Sequence, residues 1–208
     1  MGLVAAGNFE SVWVRKFGQE ILSALATARD LTENGAGDKA FTRWFGKPSL
    51  ADRTHFAKQI AQMRSNLNLR SIVVGFVTLK SRQSHQNARA WNVSAPQLAL
   101  GKSLAAPGAD GLSTIELDLN FNGLPDYLRV LGDGTIDASA GHQGRFQTVI
   151  HELTHVLLGT KDLKLANGNI AYGAMNAAAL AKEDPKKARE NAENWGIFIE
   201  ACGRNKKS

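Results

Sequence analysis

Residues 144–159 read GRFQTVIHELTHVLLG, and this stretch decides how the rest of the chain is read. Gly144 or Arg145 opens a helix that runs through Leu158, and Gly159 is its stop signal. On a helix, positions i and i+4 share a face, so His151 and His155 point the same way one turn apart. Two imidazoles at that spacing can both reach one zinc ion. Glu152 is turned by about 100° from His151, which directs it at a water beside the ion rather than at the ion itself. Phe146, Val149, Ile150, Leu153, Val156 and Leu157 surround most of the circumference, so the helix is expected to be buried. Two histidines and a glutamate in such a place are costly unless something pairs them, and a metal does so.

A hydrolytic zinc needs a third protein ligand and an open position. The longer pattern HExxHxxGxxH does not continue here, because Leu158 stands at its glycine and Lys161 at its third histidine. Asp162, just beyond the glycine that ends the helix, is one candidate third ligand. Glu190 and Glu193, on a later helix, are the others.

Working outward, the segment before residue 70 reads as helical. Residues 9–30 carry Val12, Val14, Phe17, Ile21, Leu22 and Leu25 at mixed helical spacing, and Gly35 and Gly37 break the run. Phe41, Trp44 and Phe45 form an aromatic cluster expected in the core. Ser49, with Asp52 three residues on, starts a second long helix to about residue 67, with Phe56, Ile60 and Met63 on one face. Residues 71–79 and 113–121 read as strands, with a short strand near Ala90. Asn122-Gly123 reads as a turn. A helix over 173–182 and a last helix capped by Asp184, with Pro185 at its first position, complete the chain. The expected fold is α+β: one domain with a helical part (1–70), then a small sheet and the zinc-site part (71–208).

The 208 residues include one cysteine, Cys202, so the chain forms no internal disulfide. The net charge of +6 comes from scattered basic residues, with clusters only at Lys186-Lys187 and Arg204 to Lys207. No zinc-finger, RNA-binding or basic-heptad pattern accompanies them, so no nucleic-acid partner is expected. No apolar run reaches the length of a membrane span. The first sixteen residues lack the charged start of a secretory signal, and export by a specialised bacterial route is the expectation.

Past the histidines come Gly159-Thr160-Lys161-Asp162, Ala171-Tyr172-Gly173, Leu180-Ala181, Asp184-Pro185 and Asn191-Ala192-Glu193-Asn194-Trp195. Together with Arg43-Trp44-Phe45-Gly46 and Gln147-Thr148 upstream, these resemble the aspzincin metallopeptidases, the deuterolysin and peptidyl-Lys metalloendopeptidase group. The resemblance is densest over residues 147–200. It implies a zincin-like fold, zinc as cofactor, His151, His155 and Asp162 as ligands, Glu152 as the base and Tyr172 as the oxyanion donor. In lysine-specific members, acids of the NAD-like stretch hold a substrate lysine. Glu193 is therefore a candidate substrate-binding residue, while Gly196 stands where a second acid would be. Nine residues, 163–171, separate Asp162 from Tyr172, where the family has two.

The expected activity is hydrolysis of internal peptide bonds in a protein or peptide, plausible for a bacterial effector or toxin domain with an inhibitor or immunity protein as partner. Two alternatives stand beside it: a hydrolase of cell-wall peptides, and an inactive zinc-stabilised binding domain. An intact Glu152 speaks against the last, since a structural site needs no base. The start of a calcium loop at Asp118, Asn120 and Asn122 fails at its twelfth position, Arg129. His55, His85 and His142 are isolated and set aside, and Trp195 is expected behind the site as core.

Overall fold

The computed structural model describes residues 2–5, 8–69, 71–76, 88–92, 113–117, 119–129, 136–137 and 143–204. His85, His142, Asp118, residues 77–79 of the first expected strand and the basic tail beyond residue 204 lie outside the described residues.

Helix α1 (Asn8–Glu33) buries Phe17, Ile21 and Leu25, three residues at successive i+4 steps, together with Ala24 and Ala28. Val12, read with that stripe, is instead exposed, and the side chain of Val14 lies outside the described residues. Helix α2 (Asp38–Phe45) presents Phe41, Trp44 and Phe45 inward. Helix α3 (Leu50–Leu69) starts on a reciprocal cap. Ser49 N donates to Asp52 Oδ2 at 2.8 Å, and Asp52 N donates to Ser49 Oγ at 3.1 Å. Its buried face carries Phe56, Ile60, Met63 and Leu67.

Four described strands form one sheet in the order β1-β2-β4-β3. They are β1 (Gly2–Ala5), β2 (Ser71–Phe76), β3 (Ala88–Asn92) and β4 (Ser113–Leu117). β1 and β4 flank β2 in parallel, and β3 closes the far edge antiparallel to β4. The N-terminal strand was not anticipated. A four-residue strand with no period to read is visible only through its partner, β2. Residues 2–5 thereby join the sheet, and α1 packs against the last helix. Asn122 and Gly123 close a 3-10 turn (Leu119–Gly123), which takes up residues 119–121 of the strand expected over 113–121.

Four helices follow: α4 (Arg145–Leu158), α5 (Gly173–Glu183), α6 (Pro185–Glu190) and α7 (Ala192–Arg204). The single last helix expected from Asp184 is thus two, because Asn191 adopts an extended conformation between them. Asp184 does cap the first, accepting from Lys187 N at 3.0 Å. α4 packs along α7 on one side and beside β3 on another. Phe41, Phe45 and Phe56 interlock with Trp195 and Phe198 of α7, with Phe56 stacked on Trp195 at 4.5 Å between centroids. Trp44, Phe45 and Trp195 are core residues. Cys202 is buried, and burial pushes its thiol up to about 12.

Candidate metal centre

α4 begins without a side-chain cap, and the chain just upstream does that work. Arg145 N donates to Pro125 O and Phe146 N to Asp126 O. Gly144 allows the approach, since a Cβ there would meet Leu128 N at 2.8 Å. The helix ends at Gly159, which takes the left-handed conformation (φ 72°). Gly159 N donates to His155 O, the bond of a left-handed helix cap, and Thr160 N donates to Thr154 O.

That turn also builds the site. It brings the Thr160 carbonyl to His155 Nδ1 at 2.8 Å. A carbonyl can only accept, so Nδ1 carries the proton and the neutral ring offers Nε2 as a lone pair. The Thr154 hydroxyl donates to His151 O, and the Thr160 hydroxyl then donates to Thr154 Oγ1 at 2.7 Å. Beyond the turn, Lys161 N donates to Glu190 O, and Ala192 N donates to Lys161 O. Leu163 N donates to Asn191 Oδ1 at 2.9 Å. The residues on both sides of Asp162 are thereby stitched to the break between α6 and α7.

The result is a triangle of three acceptors. His151 Nε2 lies 3.1 Å from His155 Nε2, and Asp162 Oδ1 lies 3.2 Å and 3.4 Å from those two nitrogens. Ligand atoms held about 2.0–2.2 Å from a tetrahedral ion are about 3.3–3.6 Å apart, so the observed edges match one face of a zinc tetrahedron to within about 0.2 Å. Two lone pairs and a carboxylate oxygen repel one another at this range, and a cation removes the repulsion. Among the described residues this is the group of His, Cys, Asp and Glu side chains able to hold a metal ion. His151 is buried, His155 half-buried and Asp162 exposed, so the triangle reaches solvent at its Asp162 corner.

The proton equilibria express the same demand for positive charge. Burial pulls His151 down, but hydrogen bonds to Asp162 and Glu193 carry it well above its ordinary value. Burial pushes Asp162 up, and the two histidines more than reverse this, holding it below the carboxylate range. Glu152 is raised by burial, against the pull of His151 and His155. Tyr172 is raised first by burial and then by Asp162, so its phenol keeps its proton.

Tyr172 donates to Asp162 Oδ2 at 2.8 Å, and its ring lies 6.0 Å from that of His151. The nine intervening residues do not displace it, because they leave and return as a small closed excursion. Ala171 N donates to Leu163 O, Leu165 N donates to Asn169 O, and Lys164 bridges Ile170. Leu165 is tucked into the core, and Ala166 N donates to Glu183 of α5 at 3.2 Å.

The structure therefore brings His151, Glu152, His155, Asp162 and Tyr172 together. It does not bring Glu190, whose side chain is exposed and whose backbone oxygen serves Lys161. Glu193 lies behind His151 rather than in the cleft. It is 1% exposed, and its oxygens accept from Gln147 Nε2 at 2.8 Å, His151 Nδ1 at 2.9 Å and Gly173 N at 2.8 Å. Expected as a substrate contact, it has both oxygens engaged by groups of the protein itself. The supports supplied by the Thr160 carbonyl, Asn191 and Gln147 were not read from the sequence. The Gly-Thr pair after the helix and the closely spaced Asn191, Glu193 and Asn194 are the signals that carried them. Asn194 Nδ2 donates to Trp44 O and Ala177 O, so each polar residue of that stretch has a buried structural partner.

Residues 132–200 match the aspzincin family, described as lysine-specific metallo-endopeptidases. The extracellular protease of Aeromonas hydrophila is 44% identical over 62 residues, which span 29% of this chain and 16% of that protein. A solved zinc peptidase from Grifola frondosa aligns over 88% of this chain and 93% of its own at 19% identity, with a TM-score of 0.49. The matched segment contains every residue of the triangle with its supports, and over it the chain is similar to the aspzincin zinc metallopeptidases.

Proposed function

We propose that this chain hydrolyses internal peptide bonds of proteins, with His151, His155 and Asp162 as zinc ligands, Glu152 as general base and acid, and Tyr172 as a hydrogen-bond donor to the reacting carbonyl oxygen. The observation that carries the reading is the acceptor triangle, exposed at its Asp162 corner, with a buried carboxylate next in sequence to His151. Zinc bound there supplies a Lewis acid that polarises the carbonyl and acidifies water. Glu152, raised by burial, is suited to take a proton from the attacking water and return it to the leaving amine. The Tyr172 hydroxyl turns from Asp162 towards the oxygen on which charge develops.

Glu152→Gln should bind zinc as the wild type does and lose about 10²–10⁴-fold in kcat on a casein or peptide substrate. Asp162→Ala should lose both metal and activity. Retention of activity by Glu152→Gln would overturn the mechanism, and retention of zinc by Asp162→Ala would overturn the ligand set. An action outside the producing cell, as an effector or toxin, is the part of this proposal supported by the extracellular relative. Cell fractionation combined with challenge of target cells tests it.

A further inference from the structure

Glu193 is engaged at both oxygens by three donors on two elements. Gln147 Nε2 and His151 Nδ1 share Oε2, and both belong to α4. Gly173 N, the first residue of α5 and the neighbour of Tyr172, holds Oε1. Glu193 itself sits in the first turn of α7. One carboxylate thus connects a metal-ligating imidazole to the backbone that carries the tyrosine. The closeness of α4 and α7 is built in next door. A Cβ on Gly196 would meet Gln147 O at 2.9 Å and His151 Cβ at 3.3 Å, so no side chain fits between the helices there.

We infer that Glu193 is a positioning residue that fixes the tautomer and angle of His151 and couples them to the start of α5, and that it takes no part in selecting a substrate lysine. An acceptor at His151 Nδ1 keeps the proton there and leaves Nε2 free for zinc. An amide could not replace it. Glutamine has one accepting end, whereas Glu193 accepts at both, so a donor would face either Gly173 N or His151 Nδ1. In the second case His151 would move its proton to Nε2 and lose its lone pair for the metal. The inference rests on His151 being a zinc ligand.

The test compares Glu193→Gln and Glu193→Asp with wild type in the full chain. Zinc affinity is measured by competition with a chromogenic chelator, and kcat and KM on paired peptides that differ only in lysine or leucine beside the scissile bond. Glu193→Gln should bind zinc about 10–100-fold more weakly. At saturating zinc its kcat should fall by the same factor on both peptides with KM little changed, and Glu193→Asp should recover part of each loss. Wild-type zinc affinity in Glu193→Gln, with a selective rise in KM for the lysine peptide, would overturn the inference. Should the variants fail to fold, the wild-type zinc protein still decides. Its NMR spectrum should show a downfield, slowly exchanging proton on His151 Nδ1, and its absence would overturn the inference. If wild type binds zinc yet cuts neither peptide, the peptidase reading fails, while the zinc and NMR measurements still judge Glu193.

Discussion

Two ring nitrogens, His151 Nδ1 and His155 Nδ1, are each held by an oxygen, so both Nε2 atoms present lone pairs to Asp162 Oδ1. The chemistry of the site follows from that pairing of tautomer and turn. Tyr172 adds a proton that its surroundings prevent it from losing. Tyr172→Phe should therefore retain zinc, since the Tyr172 hydroxyl donates to Asp162 Oδ2 and not to the oxygen that belongs to the triangle. Its kcat should fall by about 10²–10³-fold with little change in KM, the pattern of a donor used only in the transition state. Steady-state kinetics beside zinc content check this, and unchanged kcat would remove Tyr172 from the reaction.

At the scale of elements, two contacts set the precision of the centre. One is the seating of α7 on α4 at Gly196. Gly196→Ala should force the helices apart or strain them, at a cost of about 1–3 kcal/mol in urea unfolding and with weaker zinc binding. The other is the closed excursion over residues 163–171. Its ends are joined by Ala171 N donating to Leu163 O, so Asp162 and Tyr172 meet independently of its length. Replacing residues 164–170 by two glycines should leave zinc affinity close to wild type. It should lower stability by about 1–3 kcal/mol through the lost burial of Leu165. A large loss of zinc affinity instead would show that the excursion orders the site. The bounds of α4 were legible because glycines flank an unbroken apolar helix, whereas the break at Asn191 was not. Its cause is the pull of Lys161 and Leu163 on the chain between α6 and α7, a contact some thirty residues away in sequence.

Across the whole molecule, the helices are tied by a few charged clamps at the rim of an aromatic core. Asp52 caps α3 through Ser49 and binds the Arg189 guanidinium of α6 at 2.6 Å. Its carboxyl is held below the ordinary range, first by the Ser49 backbone N–H, then by the Ser49 hydroxyl and Arg189. A depressed folded-state pKa contributes stability that is present above the unfolded value and is lost as pH falls through the folded one. Asp52→Ala should thus cost about 1–2 kcal/mol at neutral pH. The gap from wild type should narrow as the medium is acidified through the carboxylate range. Urea unfolding at a series of pH values checks this, and a gap independent of pH would mean that the ionised carboxylate contributes nothing.

The sequence by itself determined the α4 helix, its two histidines and the glutamate between them, because helical periodicity turns spacing into shared faces without help from the rest of the chain. It also carried Asp162 and Tyr172 as candidates, through motifs following a helix stop. Tertiary structure alone decided that Asp162, and neither Glu190 nor Glu193, completes the triangle. It also decided that Glu193 faces inward and that β1 belongs to the sheet. Each of these outcomes depends on which backbone donors and acceptors meet across segments far apart in sequence, and such pairings leave no periodic trace in the residues that make them.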